Sequence, residues 1–535
     1  MAVPSALEKR WSSRQHIGVI LVAGFLIRLY YHIAYRPWWV GDSGGYTYAM
    51  WAWKNGYFPD GRRMPLYPLF LGLIAFIARR PVFPDMAKLT GYVAVLAQSV
   101  LVLCAAVLIY DIIRRLGVRD RLAFWGGLCF SLIGGLCEFE MIVLPQSLAI
   151  FWLILSCWFF VRAIAKLHRA ESPILDAICT GLSFSAAVLV RTEMLVFFVV
   201  LLGCMALVVA FAALRRNHQA GTVTTNGRTF RQTAAITLLV MPLAAAPGIV
   251  AWMSFNYLAT GQMRLTSMMG YQFYQSVYNL FDRVEPQDRA FGQIMVKHYR
   301  LTNHDGQIKR DYIWTSLNDI QLHASEFPIK RRRYPSHVVG SMKMTQHSAD
   351  VLDLGNYMER VSRNLAKRNP TAWLRNAADD FVRCTFDFRY TPPEPVAEIT
   401  PLSDPRSVDI KQVWRYPALR PLMLWIDRVQ APLLSALYAC TIGLALLGPI
   451  LLIRNNHSKT LLVDGAVLAL ALGTVCTFAS YSLLASYYSQ YGAMFLGVMV
   501  ITIVYALEKL LTLRAVSLGD QPSVPMSSKG RVKVA

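Results

Sequence analysis

Long apolar runs separated by short basic stretches dominate the chain. Ten of them approach or exceed the roughly 20 residues that an α-helix needs to cross a bilayer. They lie at about 17–35, 90–113, 122–137, 145–163, 174–190, 194–213, 233–254, 431–453, 461–483 and 491–511. The first follows Lys9, Arg10 and Arg14 and has no small-x-small cleavage site behind it, so an uncleaved span is expected rather than a signal peptide. Between the seventh and eighth runs lies one long polar segment, about 254–430, with no dominant period-2 strand pattern. Within it Val361 to Phe381, broken at Asn369–Pro370, predicts two helices joined by a turn. Tyr416 to Val429 predicts an interfacial helix ahead of the eighth span. The expected fold is an all-α polytopic membrane protein with a helical outer cap.

The basic residues give this pattern a direction. Lys9/Arg10/Arg14, Arg114/Arg115/Arg119/Arg121, Arg162/Lys166/Arg169, Arg215/Arg216/Arg228/Arg231, Arg454/Lys459 and the tail Arg514/Lys529/Arg531/Lys533 all fall on one side of ten spans. By the positive-inside rule that side is cytoplasmic. The expected division is a cytoplasmic N-terminus 1–16, a transmembrane module 17–253 with a first outer loop 36–89, and an exocytoplasmic domain 254–430. C-terminal spans 431–511 and a cytoplasmic tail 512–535 complete it. Leu66 to Ala78 is apolar but too short to span upright, and is read as a helix in the outer interface; the alternative is a short tilted span. Lys54, Arg62, Arg63, Arg79 and Arg80 then break the topology rule on the outer side. Either an anionic ligand such as a lipid phosphate sits there, or these cations simply meet headgroups.

Composition narrows the classes. Hydrophobic residues make up 55% of 535 and charged residues 16%, so a soluble enzyme is excluded. The net charge of +22 lies largely in short loops where it sets topology, which argues against nucleic acid. Seven of the nine cysteines fall in apolar spans, and only Cys137 and Cys384 are expected outside them. There is no CxxC and no HExxH, so neither a disulfide framework nor a zinc site is expected.

Candidate chemistry gathers in Trp38 to Pro68, WWVGDSGGYTYAMWAWKNGYFPDGRRMPLYP, directly after the first span. Asp42 can accept a proton from an attacking hydroxyl, as a general base does; its bland reading is a helix cap. Gly44 and Gly45 allow close approach of backbone to a ligand. Tyr46, Tyr48, Trp51 and Trp53 offer flat faces for a sugar, or form an interfacial aromatic belt. Arg62 and Arg63 supply forked donors that suit phosphate oxygens. Lys330–Arg333 is a solvated face or a headgroup contact.

The order Asp42-Ser43-x-x-Tyr46-x-x-Ala49, then Gly56, then Arg63-Met64-Pro65-Leu66-Tyr67-Pro68 resembles the first outer loop of GT-C membrane glycosyltransferases. It is most similar to the branch holding protein O-mannosyltransferases and lipid A aminoarabinose transferases. Arg28-Leu29, Gly181 to Glu193, Asn256 to Gly270, and Asn369-Pro370-x-x-Trp373-Leu374 extend the resemblance in order, over about the first 275 residues and more faintly beyond. Three departures stand out. Ser43 replaces a frequent second acidic residue, Gln146 replaces an acidic residue before the fourth span, and Ser486–Gln490 lacks an arginine–tyrosine pair. A single carboxylate is a poor site for a hard divalent cation, so no cofactor is expected and a divalent metal is not favoured.

The resemblance implies a GT-C-like bundle of about ten spans and a polyprenyl-phosphate sugar donor. It implies inverting transfer to a hydroxyl of a lipid, glycan or protein, with membrane lipids as the other contacts. Asp42 would be the base. Arg62, Arg63 and Arg264 would stabilise phosphate charge, and Tyr67 would bond phosphate or sugar. Tyr46 would present a ring to the sugar, and Glu138 and Glu140 would hold sugar hydroxyls or act as caps. Arg191 would reach the substrate or pair with Glu193, while Arg28 would snorkel or line the cavity. Two rival classes are a polysaccharide ligase or polymerase, which leans on outer arginines, and a transporter or flippase, which favours internal repeats that this chain lacks. A bacterial inner membrane, with the site facing outward, is favoured because no retention signal ends the chain.

Overall fold

The computed structural model describes residues 12–35, 37, 41–59, 61–78, 89–169, 171–216, 230–267, 269–302, 319–335, 338, 342–386, 420–454, 460–484 and 493–517. The protein is an all-α, multi-pass membrane protein. Helix α1 (Ser13–Ala34) begins at a capping box, with the Ser12 hydroxyl accepting from the Gln15 amide and the Gln15 side chain accepting from the Ser12 amide. Its two faces show how a membrane helix inverts the soluble pattern. Val22, Phe25, Leu26, Leu29 and Ile33 point outward at helical spacing, whereas Ile20, Gly24, Arg28 and Tyr31 face the bundle. With lipid outside, the apolar face needs no partner, and the small and polar residues make the packing contacts.

Helices α2 (Gly41–Lys54) and α3 (Leu66–Ile77) follow α1, and α4 (Leu89–Arg115), α5 (Asp120–Ser131) and α6 (Gly134–Met141) come next. The bundle continues with α7 (Gln146–His168), α8 (Ile174–Val190), α9 (Met194–Arg216) and α10 (Phe230–Thr260). Among the described residues, seven helices are long and apolar enough to cross a membrane, or eight if the bent pair α5–α6 counts as one span; α8 is a shorter apolar helix.

The expected straight span 122–137 is instead broken. α5 and α6 meet at a 42° bend, and α6 carries Cys137 and Glu138 into the interior. Cys137, expected outside the spans, is buried in α6. A break in a membrane helix frees backbone groups that need partners. Gln430 supplies two of them: its Oε1 accepts from the Gly134 amide at 2.8 Å and its Nε2 donates to the Leu132 carbonyl at 3.0 Å.

A polar cap comprises α11 (Met269–Ser276), α12 (Arg289–Thr302), α13 (Gln346–Arg368) and α14 (Pro370–Phe386). Its own core is aromatic, with Phe281, Phe291, Phe327 and Tyr357 stacked edge and face around Met358. The Asn369–Pro370 turn separates α13 from α14 as expected, because proline cannot continue the first helix but starts the second. Asp288 ties the core together, accepting from Tyr357 and Arg360. This carboxylate, together with burial, lifts the Tyr357 phenol above its ordinary range. The cap meets the bundle where the Trp373 indole donates to the Leu483 carbonyl at 3.0 Å.

The chain returns through α15 (Arg420–Arg454), α16 (Leu461–Leu484) and α17 (Leu496–Ser517). Tyr416–Val429, expected as a separate interfacial helix, is different in the structure: from Arg420 onward it is the first part of α15, which continues through Pro432. Arg79, Arg80, Ser486–Gln490 and both terminal segments lie outside the described residues.

Candidate functional site

The segment between α2 and α3 is built around a turn. α2 ends at Lys54, and the two-residue strand β1 (Tyr57–Phe58) pairs in parallel with β2 (Lys343–Met344) of the cap. Phe58 is fully buried against Ala259, Val338 and Leu352, which locks the turn to both α10 and α13. Gly61 then takes a left-handed φ of +67°, accessible to glycine without strain, and turns the chain so that Arg62 and Arg63 follow.

The turn is clamped by the stretch after α10. The Gly61 carbonyl accepts from the Ser267 amide at 3.1 Å, and the Arg62 carbonyl accepts from the Thr266 hydroxyl at 3.0 Å. That stretch is itself held by Asn256, whose side-chain amide donates to the Arg264 and Leu265 carbonyls, and by Trp252, which donates to Leu265 at 2.8 Å. Asn256 Oδ1 and the Trp53 indole nitrogen are buried with no hydrogen-bond partner among the described residues.

The two arginines are placed by aromatic faces. The Arg63 guanidinium carbon lies 4.8 Å from the Tyr46 ring centroid, and that of Arg62 lies 5.6 Å from the Tyr271 ring. A Cβ added at Gly45 would meet Arg63 Nε at 2.6 Å, so the missing side chain is what admits the guanidinium to the surface of α2. Asp42 stands in the first turn of that same helix, within the stretch 36–89 that the sequence reads as a loop, with a helix cap as the bland reading of Asp42. The positive end of a helix dipole favours a negative charge there, on a carboxylate or a ligand.

Tyr67, Glu138 and Glu140 belong to a tightly bonded group that adjoins Tyr46. Tyr67 is fully buried, its ring edge-on to Tyr46 at 5.0 Å, and its hydroxyl donates to Gln98 Oε1 at 2.7 Å. Gln98 in turn donates to the carbonyls of Glu140 and Ile142, both at 2.8 Å, where α6 ends and leaves those acceptors free. Glu140 accepts a two-pronged ion pair from Arg28, at 2.8 Å from Nε and 2.7 Å from Nη2. Arg28 Nη1 also donates to the carbonyls of Gly24 and Ser131, just before the α5–α6 break. Glu138 accepts from the Tyr35 hydroxyl at 2.8 Å. Glu138 and Glu140 are thus both buried and bonded.

Arg191 bonds Glu193 at 2.5 Å in the turn between α8 and α9. Burial opposes charge on Glu193, yet Arg191 beside it holds the carboxyl below its usual range. Arg264 reaches Glu359 on α13 at 2.6 Å, and Arg363 bonds the other oxygen of the same carboxylate. Sequence reasoning missed Gln98 and Glu359. Gln98 was visible as a polar residue inside an apolar run; Glu359, in a polar helix, carried no such signal. Among the described residues no group of three or more potential ligands could hold a metal ion.

Comparison with known proteins supports the family resemblance over part of the chain. Residues 85–256 match the family model of dolichyl-phosphate-mannose-protein mannosyltransferases. The matched residues run from just before α4 to Asn256 near the end of α10; the Trp38–Pro68 stretch and the cap lie outside them. A search of curated protein sequences gave no significant match. Among solved structures, the oligosaccharyltransferase AglB from Archaeoglobus fulgidus, bound to an inhibitory peptide and a dolichol-phosphate, aligns with 97% of this chain and 53% of its own, at 12% identity and a TM-score of 0.45. The apo form of the A. fulgidus oligosaccharyltransferase aligns with 96% of this chain and 52% of its own, at 11% identity and a TM-score of 0.45. The S. cerevisiae protein O-mannosyltransferase Pmt1–Pmt2 complex, bound to its sugar donor, aligns with 50% of this chain and 36% of the matched chain, at 15% identity and a TM-score of 0.37. The chain thus spans about half the length of the two archaeal structures that it matches.

Proposed function

We propose that the protein is a membrane glycosyltransferase that moves a sugar from a polyprenyl-phosphate donor to an acceptor hydroxyl. The observation that carries this reading is the Arg63 guanidinium on the Tyr46 ring of α2, the helix with Asp42 in its first turn, next to Arg62 held against Tyr271, joined to a bundle whose residues 85–256 match the mannosyltransferase family.

In the proposed reaction the acceptor oxygen attacks the anomeric carbon from the face opposite the phosphate. The new glycosidic bond forms as the bond to the phosphate oxygen breaks, so the configuration inverts. Asp42 takes the hydroxyl proton, and the polyprenyl phosphate leaves as an anion. Arg62 and Arg63 stabilise the charge that grows on it. Fixed donors serve best here because they need not reorganise as the charge develops. The aromatic faces of Tyr46 and Tyr271 and the clamped Gly61–Arg62 carbonyls provide that fixity.

Glu138, Glu140, Tyr67, Arg191 and Arg264 act in this reading as supports, since each already holds a bond within the protein. The site is proposed to face the outside of a bacterial inner membrane, with a lipid, glycan or protein hydroxyl as acceptor.

The test is transfer by purified wild type and Asp42→Asn from a panel of polyprenyl-phosphate sugars, with donor binding measured in parallel. Loss of turnover by about 10²–10⁴-fold with donor binding kept is the outcome expected of a lost general base. An active Asp42→Asn enzyme removes Asp42 from the mechanism and favours an arginine-dependent ligase. Donor binding without transfer by wild type points to a transporter or a missing acceptor.

A further inference from the structure

At the opposite end of the bundle, where α4 and α7 finish and α8 begins, a second group of cations surrounds a cavity of about 200 Å³. Arg115, Arg162, Lys166 and Arg169 line it, against one carboxylate, Glu171. This end is remote from the candidate site, because the other ends of α4 and α7 carry Gln98 and Gln146 toward it.

The cations are held from behind. Arg115 Nε donates to Asp111 Oδ2 at 2.6 Å, Arg162 Nε lies 3.1 Å from Asp176 Oδ1, and Lys166 Nζ lies 2.7 Å from Asp176 Oδ2. Trp158 stands between the two arginines, 4.4 Å from the Arg162 guanidinium carbon and 5.7 Å from that of Arg115, with its indole nitrogen bonded to Asp111 at 2.7 Å. Both arginines thus commit Nε to a carboxylate. Among the described residues nothing accepts from their Nη groups or from the Arg169 side chain.

With Asp111 and Asp176 counted alongside Glu171, the excess of positive charge is small, so attraction at a distance does not define the ligand. The donor geometry does: several fixed N–H forks facing one cavity suit the oxygens of a phosphate. Beside Asp176, Leu175 is 69% exposed and Leu182, two turns along α8, is 55% exposed, leaving the surface that an acyl chain covers. We propose that this cavity binds the phosphate of an anionic lipid headgroup in the leaflet opposite the candidate site. The proposal is independent of the transfer reaction. Basic pockets between membrane helices are a recognised way to hold such headgroups.

The test is native mass spectrometry of the full-length protein in detergent, titrated with phosphatidylglycerol or phosphatidylcholine. Wild type is expected to retain phosphatidylglycerol preferentially. Arg115→Gln/Arg169→Gln should lose about tenfold of that affinity, and Arg169→Gln alone a smaller part. The Arg169 side chain has no partner among the described residues, and its backbone bond to Ala165 survives substitution, so its single variant keeps the fold out of the comparison. Arg119→Gln/Lys509→Gln, which removes two cations elsewhere at the same end, should change nothing. Equal retention by wild type and both cavity variants, or no preference between the two lipids, overturns the proposal. Displacement of the lipid by millimolar inorganic phosphate also overturns the lipid assignment and gives the cavity to a soluble phosphate ester.

Discussion

Arg28 and Glu140 form a two-pronged ion pair inside the bundle, with neither side chain more than 2% exposed. The pair joins α1 to the short helix α6 just beyond the α5–α6 break, and the third donor of Arg28 closes on the Ser131 carbonyl at that break. A charge that looked costly in the first span is thus the bond that holds a bent membrane segment in place.

Removing one partner alone leaves the other as an uncompensated buried charge. Arg28→Met is therefore expected to destabilise the protein by about 3–5 kcal/mol, read as thermal unfolding in detergent. The double variant Arg28→Met/Glu140→Leu should recover part of that loss. If Glu140 instead held sugar hydroxyls, Glu140→Gln would raise the donor KM with unfolding unchanged.

Gly45 tests the placement of Arg63. A methyl there would stand 2.6 Å from Arg63 Nε, and the end of a long side chain can move aside at little cost to the fold. Gly45→Ala is expected to unfold like wild type yet bind a polyprenyl-phosphate sugar about 1.5–3 kcal/mol more weakly, the value of a charged hydrogen bond. Binding equal to wild type would separate Arg63 from the phosphate.

The sequence made the helices of the bundle legible because a membrane helix must carry a long apolar run and satisfy its own backbone. It also disclosed the Asn369–Pro370 turn, since proline acts locally. The bend at Leu132–Ile133 was hidden, because the group that permits it, Gln430, lies some 300 positions away in sequence. The same holds for Arg264, whose partner Glu359 belongs to the cap. Arg28 and Glu140 were each conspicuous, but a pair across 112 positions cannot be read from either alone. Arg62 and Arg63 stood out in the sequence as cations that would break the topology rule; that aromatic rings hold them was not legible.

Gly270 marks where the cap is least forgiving. A Cβ there would lie 1.8 Å from the Gly355 carbonyl oxygen, so α11 and α13 would have to separate. At Gly355 the nearest obstacle is instead a side chain, the Tyr271 ring, at 2.8 Å, rather than backbone. Gly270→Ala should therefore cost about 1–3 kcal/mol or more, and exceed Gly355→Ala, when cap stability is followed by limited proteolysis. Because Tyr271 faces Arg62, Gly270→Ala should also weaken donor binding.

Tyr67 separates support from chemistry. Its hydroxyl lies within the Tyr67–Gln98–α6 chain, in a fully buried position, and among the described residues it is the donor to Gln98 Oε1. Tyr67→Phe keeps the ring against Tyr46 and removes only the donor, leaving one buried acceptor unmet at a cost of about 1–3 kcal/mol. The expected result is a lowered unfolding temperature with donor KM and kcat unchanged at a temperature where the variant is folded. A large fall in kcat with unchanged unfolding would instead place the hydroxyl on the donor phosphate or sugar, and would move Tyr67 from the scaffold into the reaction.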